Sequence, residues 1–169
     1  GYKGSLIAKH VIKNNVRSVL NTNKKGNAWW IFNFPFNLID EPIFVLTCDN
    51  ITNINFNLIE KDYIKKGKPD CFLIPVQPVK ELEGDFIHRK KNIVTKLSRK
   101  IKSDIYCSGI QIINPYRINK TVKKTEFFDR IWKKLISKKK LIVSDIVPDQ
   151  WFTIDSIKQL KMYKKQNTK

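Results

Sequence analysis

The sequence predicts an α/β fold in which a mixed, mostly parallel sheet is flanked by helices. Apolar runs of strand length, such as residues 71–76, alternate with segments that carry apolar residues at helical spacing, such as residues 125–138. Strands alternating with helices are typical of a sheet covered by helices. Continuous apolar runs favour parallel pairing, because parallel sheets are buried on both faces.

The elements are expected from the spacing of apolar residues and from turn residues between them. In the first half we expect a helix over 5–14 with a serine cap, a strand over 16–20, a polar loop over 21–27, a helical aromatic segment over 28–34 under the sheet, a buried parallel strand over 44–50 and a helix over 57–61. In the second half we expect strands at 71–76 and 105–113, a hairpin of 85–88 with 92–97, a helix over 125–138 capped by Thr125, strands at 141–143 and 151–154, and a final helix from Asp155 to Tyr163.

Length and charge bound the class of protein. A chain of 169 residues is about the size of one domain, so we expect a single globular unit over residues 1–169. Basic residues exceed acidic ones by 18, which suits a nucleic-acid binder. They are scattered through turn-like segments, however, and a solvated lysine-rich surface accounts for them, so a nucleic-acid partner is disfavoured. The segments richest in lysine and arginine are 64–68, 89–91 and 137–140.

The cysteines and the apolar runs predict a cytoplasmic protein without a membrane partner. Cys48, Cys71 and Cys107 have neither close pairing nor metal-ligand spacing, so we expect buried thiols in a reducing compartment. The apolar runs are far shorter than the ~20 residues that span a bilayer. We also expect no signal peptide before Gly1.

Two carboxylates stand at the ends of predicted strands. Asp49 ends the run 44–50 and Asp155 follows 151–154. Open α/β sheets bind ligands outside the carboxyl ends of their strands, and Mg²⁺ prefers carboxylate oxygens and substrate phosphates. Both residues are therefore candidate metal ligands. Two simpler interpretations stay open, namely that Asp49 only opens a turn and that Asp155 caps the last helix.

The chain resembles the nucleotidyltransferases that activate sugar phosphates or phosphocholine, including the N-acetylmuramate-1-phosphate uridylyltransferases and choline-phosphate cytidylyltransferases of bacterial surface synthesis. The resemblance covers nearly the whole chain and depends on an ordered set of motifs. These are Gly26-Asn27-Ala28-Trp29, Pro42 to Asn50, Glu83-Gly84-Asp85-Phe86, Ser108 to Ile112, and Trp151 to Ser156 with Leu160.

The resemblance implies a Rossmann-like, nucleotide-diphospho-sugar transferase-like fold with a magnesium site. Asp49 would be the first Mg²⁺ ligand and Asp155 the second, although some family members place the second acid two positions earlier, where this chain has Thr153. The residues implied to contact substrates are Gly26 and Asn27 near the nucleotide, and Glu83, Gly84, Ser108 and Gly109 near the phosphate acceptor.

The implied reaction transfers a nucleoside monophosphate from UTP or CTP to a sugar phosphate or phosphocholine and releases pyrophosphate. Positioning and charge neutralisation would supply most of the catalysis, so no nucleophilic side chain is needed. The sequence does not show which base or which acceptor is used, nor whether the chain forms a homo-oligomer. The alternatives are a non-catalytic relative and a basic nucleic-acid-binding module.

The glycine-rich loop with which the family cradles the triphosphate does not occur in these residues. We therefore expect the chain to represent the C-terminal two-thirds or so of a complete domain, with an N-terminal part missing. Such a chain should expose hydrophobic surface at a strand edge and show weak or no activity on its own.

Overall fold

The structure is a computed structural model and describes residues 3–167. Its α-helices are α1 Gly4–Lys13, α2 Phe56–Lys65, α3 Pro115–Thr121, α4 Phe128–Ser137 and α5 Ile157–Asn167, with 3₁₀ helices at Trp29–Phe32 and Phe36–Leu38. Its strands are β1 Ile43–Val45, β2 Asn50–Asn53, β3 Cys71–Val76, β4 Phe86–Lys90, β5 Ile93–Ser98, β6 Tyr106–Ile113, β7 Leu141–Val143 and β8 Gln150–Thr153. Within this range no helix is both long enough and apolar enough to cross a bilayer.

Six strands form one mixed sheet in the order β1-β6-β3-β7-β5-β4, while β2 and β8 form a separate antiparallel ribbon. The predicted class, a mixed sheet flanked by helices, is confirmed. The expected predominance of parallel pairing is wrong, because among the described strands only β3 and β7 run parallel. Strand β6 lies between β1 and β3 and is antiparallel to both, and the hairpin of β4 with β5 adds another antiparallel pair.

Strand β3 lies at the centre of the hydrophobic core, and its two faces pack against different helices. Cys71 and Leu73 belong to a cluster that includes Ile131 and Leu135 of α4. The alternate residues, Phe72 and Ile74, pack with Ile59 and Tyr63 of α2. The period of two along a strand thus places helices on both sides of the sheet, as the sequence predicts.

The run 44–50 does not form the expected buried parallel strand. Strand β1 covers only the first two residues of this run, pairs antiparallel with β6, and leaves the Phe44 side chain 36% exposed. The chain then turns at Cys48 and Asp49 and continues as β2. An apolar run alone does not fix strand direction or burial, which are set by pairing with distant strands.

The other local predictions vary in outcome. The helices predicted at 5–14 and 57–61, the hairpin, and the strands at 71–76, 105–113 and 141–143 are found with small shifts of their ends. The strand predicted at 16–20 does not form, because these residues pair with none of the described strands. Ser5 lies inside α1 rather than at its cap, and Thr125 precedes α4, whose cap position is Phe127. Of the three thiols expected to be buried, only Cys71 is fully buried, whereas Cys107 is partly buried and Cys48 is exposed.

The basic segment 64–68 contains a structural lysine. The Lys66 ammonium donates to Asn92 Oδ1 at 2.8 Å and pairs with the Asp145 carboxylate. The hydrogen bond from Lys66 lowers the pKa of Asp145 below its usual value. The buried Asp62 carboxylate accepts from Ser144 Oγ and from the Asp145 amide. The end of α2 is therefore tied to the turn between β4 and β5 and to the chain after β7.

Candidate functional site

One cleft of about 410 Å³ collects most of the residues predicted to form a site. It lies where the loop after β1, the approach to β4, the middle of β6, the start of α4 and the end of β8 meet. Seven of the eight predicted residues line it, namely Asn27, Asp49, Glu83, Gly84, Ser108, Gly109 and Asp155. The structure thus brings together side chains that the sequence could only place separately.

Asp49 lies in a turn that is held by its neighbour. The Asn50 side chain donates to Thr47 Oγ1 at 2.7 Å and to Ser108 O at 2.9 Å, and accepts from Trp151 Nε1 at 3.1 Å. The turn interpretation is therefore correct for the backbone, but the Asp49 carboxylate does not stabilise it. Asp49 Oδ1 is buried and has no hydrogen-bond partner among the described residues. A buried carboxylate oxygen without a partner is costly unless a cation or donor compensates it.

The ribbon of β2 and β8 places Asp155 close to Asp49. Asn50 pairs with Thr153, and the Ile154 amide donates to the Asp49 carbonyl at 2.9 Å. Both carboxylates therefore lie at the same end of this ribbon and line the same cleft. Thr153, the alternative position for the second acid, lines it as well.

Ser156, rather than Asp155, caps α5. The Gln159 amide donates to Ser156 Oγ at 3.2 Å. The Gln159 side chain reaches back to accept from the Asp155 amide at 2.7 Å, an arrangement close to a capping box. The cap interpretation of the Asp155 side chain is therefore wrong, and its carboxylate remains available to the cleft.

Ser108 and Gly109 form an irregularity in β6 beside the cleft. Ser108 Oγ donates to Ile74 O at 2.6 Å and accepts from the Ile110 amide, so its hydroxyl is already engaged within the protein. Gly109 has φ +79°, and a Cβ there would lie 3.1 Å from Thr47 Cγ2. The glycine is thus required by backbone conformation and by the packing of the Asp49 turn.

Gly26 and Asn27 contact the start of α4 and the residue that leads into it. A Cβ at Gly26 would lie 2.2 Å from the Glu126 carbonyl oxygen, so this glycine permits close backbone packing, and Gly26 is not among the residues that line the cleft. The Asn27 side chain accepts from the Phe128 amide at 3.1 Å, which supplies α4 with a cap from a distant loop.

Four aromatic rings line the cleft in addition to the predicted residues. Phe128 and Trp132 stack with ring centroids 5.7 Å apart, and Trp132 Nε1 donates to the buried Gln111 side chain at 3.1 Å. Phe127 and Trp151 complete the set. From the sequence, Phe127, Phe128 and Trp132 could face either a core or a partner, since helical spacing does not distinguish the two. In the sequence, Trp151 was distinguished only by its place in one of the motifs that carry the family resemblance.

The charge of the cleft is opposite to that of the chain. Arg99 is the one basic residue that lines it in the described structure, and its Nε lies 3.4 Å from Asp85 Oδ1. The acidic residues that line it are Asp49, Glu83, Asp85, Asp129 and Asp155. Among described residues, no group of three or more His, Cys, Asp or Glu side chains is arranged to hold a metal. Any metal here would therefore depend on two carboxylates and on substrate oxygens.

Comparison of the sequence identifies no relatives, since no protein-family model and no curated protein matches it. Comparison of the fold does identify similar solved structures. The inositol-1-phosphate CTP transferase from T. maritima superposes with a TM-score of 0.70 and 16% identity, over 95% of this chain and 70% of that one. HddC from Yersinia pseudotuberculosis gives a TM-score of 0.67 and 16% identity, over 98% and 75% of the two chains.

A UDP-glucose pyrophosphorylase complexed with UDP-glucose gives a TM-score of 0.63 and 14% identity, over 98% of this chain and 74% of that one. At such low identities the similarity concerns the fold. These proteins have the nucleotide-diphospho-sugar transferase fold. The chain therefore has the nucleotide-diphospho-sugar transferase fold, the fold of nucleotidyltransferases that act on sugar phosphates.

Proposed function

We propose that the chain carries the catalytic cleft of a Mg²⁺-dependent nucleotidyltransferase, which transfers a nucleoside monophosphate from UTP or CTP to a sugar phosphate or phosphocholine. The observation that carries this proposal is the convergence of Asp49 and Asp155 on one cleft of a nucleotidyltransferase fold. The acidic lining also disfavours the nucleic-acid alternative at this cleft, because phosphates would be repelled there.

The donor set suits magnesium. Asp49 Oδ1 is buried without a partner in residues 3–167, and the Asp155 carboxylate is free of the helix cap. Asp49 and Asp155 would hold Mg²⁺, which supplies positive charge against the triphosphate oxygens. Two carboxylates are a normal protein contribution to such a site, since Mg²⁺ takes its other oxygens from substrate and water.

The residues of the chain would contribute by positioning. An acceptor phosphate oxygen attacks the α-phosphorus, the new O–P bond forms as the bond to the β-phosphate bridging oxygen breaks, and pyrophosphate leaves. Asn50 and Ser108 fix the turn that presents Asp49, and Asn27 orders the start of α4 at the wall of the cleft. No protein nucleophile is required, because the acceptor is itself a phosphate.

The proposal predicts that nucleotide binding depends strongly on Mg²⁺. A triphosphate carries about four negative charges and would meet five carboxylates and one guanidinium in the cleft. Isothermal titration of the chain with CTP and UTP, with and without Mg²⁺, measures this directly. We expect binding with Mg²⁺ that weakens at least about tenfold with EDTA.

Asp49→Asn should weaken this binding by at least about tenfold, because it removes half of the proposed ligand pair. Asp129→Asn is the matched control, since it removes one carboxylate from the same cleft, and Asp129 already pairs with Lys133 at 3.2 Å. An equal loss in both variants would indicate a general charge effect and contradict the assignment. Failure of a folded chain to bind any triphosphate would reject these residues as a sufficient nucleotide site.

For the acceptor, we propose phosphocholine, because the lining combines aromatic rings with carboxylates. Aromatic faces attract quaternary ammonium groups, and nearby carboxylates strengthen the attraction. The cleft supplies both, with the rings of Phe127 and Trp151 and the carboxylate of Glu83 among its lining residues. The cleft also carries hydrogen-bonding side chains, such as Asn27 and Thr153, that would suit the hydroxyl groups of a sugar phosphate, the other candidate acceptor.

Binding of phosphocholine and of glucose 1-phosphate, measured in the presence of Mg²⁺ and nucleotide, distinguishes the two acceptors. Phe127→Leu should weaken phosphocholine binding about three- to tenfold, whereas Phe56→Leu, a similarly exposed phenylalanine outside the cleft, should not. Binding of glucose 1-phosphate alone would reverse the choice of acceptor and leave the reaction class intact.

A further inference from the structure

Two of the lysine-rich segments of the sequence meet at one groove away from the cleft. Segment 89–91 comprises the last two residues of β4 and the first residue of the hairpin turn, and segment 137–140 begins at the last residue of α4. Between them lies a groove of about 490 Å³, lined by Lys90, Lys91, Ile93, Val94, Thr95, Ile136 and Lys139. Its volume lies within the range of ~300–1,000 Å³ that is usual for small-molecule sites.

The floor of the groove is apolar. Val94 is fully buried in the main core, and Ile136 packs against the same cluster. Ile93 remains 37% exposed. The Thr95 hydroxyl already donates to the His88 carbonyl at 3.1 Å, so the polar contacts open to a ligand are those of the lysines.

The rim carries positive charge without a protein counter-charge. In residues 3–167 no carboxylate lines the groove, and Lys90, Lys91 and Lys139 form no ion pair. The neighbouring Arg89 does pair, with Asp145 at 3.5 Å. An anion in this groove would therefore meet three lysines and no carboxylate of the lining.

We propose that this groove binds a small amphiphilic anion, a phosphate ester whose apolar group covers Ile93 and Ile136 while its phosphate contacts the lysines. The groove lies at the C-terminal end of α4, whereas the cleft is lined by residues of its first turns. The two sites are thus separate, and this proposal does not depend on the proposed reaction.

The test is a titration of the ¹⁵N-labelled chain with hexyl phosphate, followed by amide chemical shifts. We expect saturable shifts concentrated at residues 90–95 and 136–139. Inorganic phosphate and hexanol, each lacking one half of the ligand chemistry, should bind at least about tenfold more weakly. Equal binding of inorganic phosphate would show a general anion effect and overturn the proposal, as would shifts spread over the surface.

Two double variants distinguish the effect of charge at the groove from the effect of the overall charge of the chain. Lys91→Gln with Lys139→Gln should weaken hexyl phosphate binding at least about tenfold. Lys158→Gln with Lys161→Gln removes the same charge from exposed positions of α5 and should leave the affinity within about twofold. A similar loss in both pairs would contradict a site at this groove, and circular dichroism of each variant verifies folding.

Discussion

Asn50 shows how one side chain can organise the acidic end of the cleft. It links the turn at Thr47, the backbone of β6 at Ser108 and the indole of Trp151. These partners come from three separate parts of the chain. The position of Asp49 therefore depends on its neighbour more than on its own contacts.

Replacing Asn50 by alanine should lower the free energy of unfolding by about 2 kcal/mol, because the hydrogen bonds are lost and the Trp151 indole is left without its acceptor. Urea denaturation measures the change. Asn53→Ala, at the exposed end of β2, is the control and should cost under about 0.5 kcal/mol. Equal effects would show that the network adds no stability.

The three thiols should differ in reactivity. Burial raises the pKa of Cys107 to about 12 and that of Cys71 further, whereas Cys48 is exposed. Thiolates are the reactive form, so iodoacetamide under mildly alkaline conditions should alkylate Cys48 first, as peptide mass spectrometry would show. Alkylation of Cys107 at the same rate would contradict its burial.

The burial of Cys107 also has a consequence for alkaline stability. The unfolded chain loses the Cys107 proton near the ordinary thiol pKa of 9.0, while the folded chain keeps it until about 12. The folded state therefore holds more protons in this interval, and the free energy of unfolding should fall as the pH rises from about 9 to about 12. Cys107→Ala should reduce that dependence, as guanidinium titrations at several pH values would show.

At the scale of elements, Lys66 joins the end of α2 to the turn between β4 and β5 and to the segment after β7. Lys66→Ala should destabilise the chain by about 1 kcal/mol at neutral pH, a modest value because Asp145 is largely exposed and the ion pair is screened. The pKa of Asp145 is lowered in the folded state, so its contribution is present at neutral pH and is lost as the pH falls through the acidic range.

Denaturation of the wild type and Lys66→Ala at neutral pH and at about pH 3 tests this pairing. The difference between the two proteins should shrink at the lower pH, where the carboxyl becomes protonated. Lys61→Ala, an exposed lysine on the same helix without an ion pair in the described structure, is the control. A difference that does not change with pH would show that Lys66 acts through packing alone.

Elements with strong local patterns were predictable from sequence. The buried β3, the hairpin and α4 each carry their own periodicity or turn residues. The direction of β1 was not predictable, because it is decided by pairing with the distant strand β6. The convergence of Asp49 and Asp155 was inferred from resemblance, and it depends on the ribbon of β2 and β8. Trp132 was indistinguishable from a core residue, since helical spacing does not show what a face contacts.

At the scale of the whole molecule, β1 is an open edge of the six-stranded sheet. Exposed apolar side chains lie on and near it, including Phe44, Leu46 and Phe56, and Phe44 and Phe56 contact each other edge to face at 5.2 Å. Apolar side chains are therefore exposed along and beside this edge. Open edges with apolar side chains promote association between chains.

Phe44→Lys should reduce self-association of the purified chain, because a charge on an edge strand opposes intermolecular pairing. Sedimentation velocity over a concentration series measures the monomer fraction. Ile157→Lys places the same charge on an exposed position of α5 and should change the fraction little. Equal improvement by both variants would attribute the effect to net charge.

The ribbon that builds the cleft also bears on how the chain folds. The bond between Trp151 and Asn50 joins residues 101 apart in sequence, and the β2–β8 pairs close a similarly long loop. Contacts between residues that are distant in sequence form slowly, because closing the long loop costs entropy before the contacts stabilise the folded chain. The local hairpin and the helices should form first, and the acidic cleft should appear only when both halves of the chain have docked. Recovery of ligand binding during refolding is then a kinetic marker of the last step, later than the recovery of helical signal.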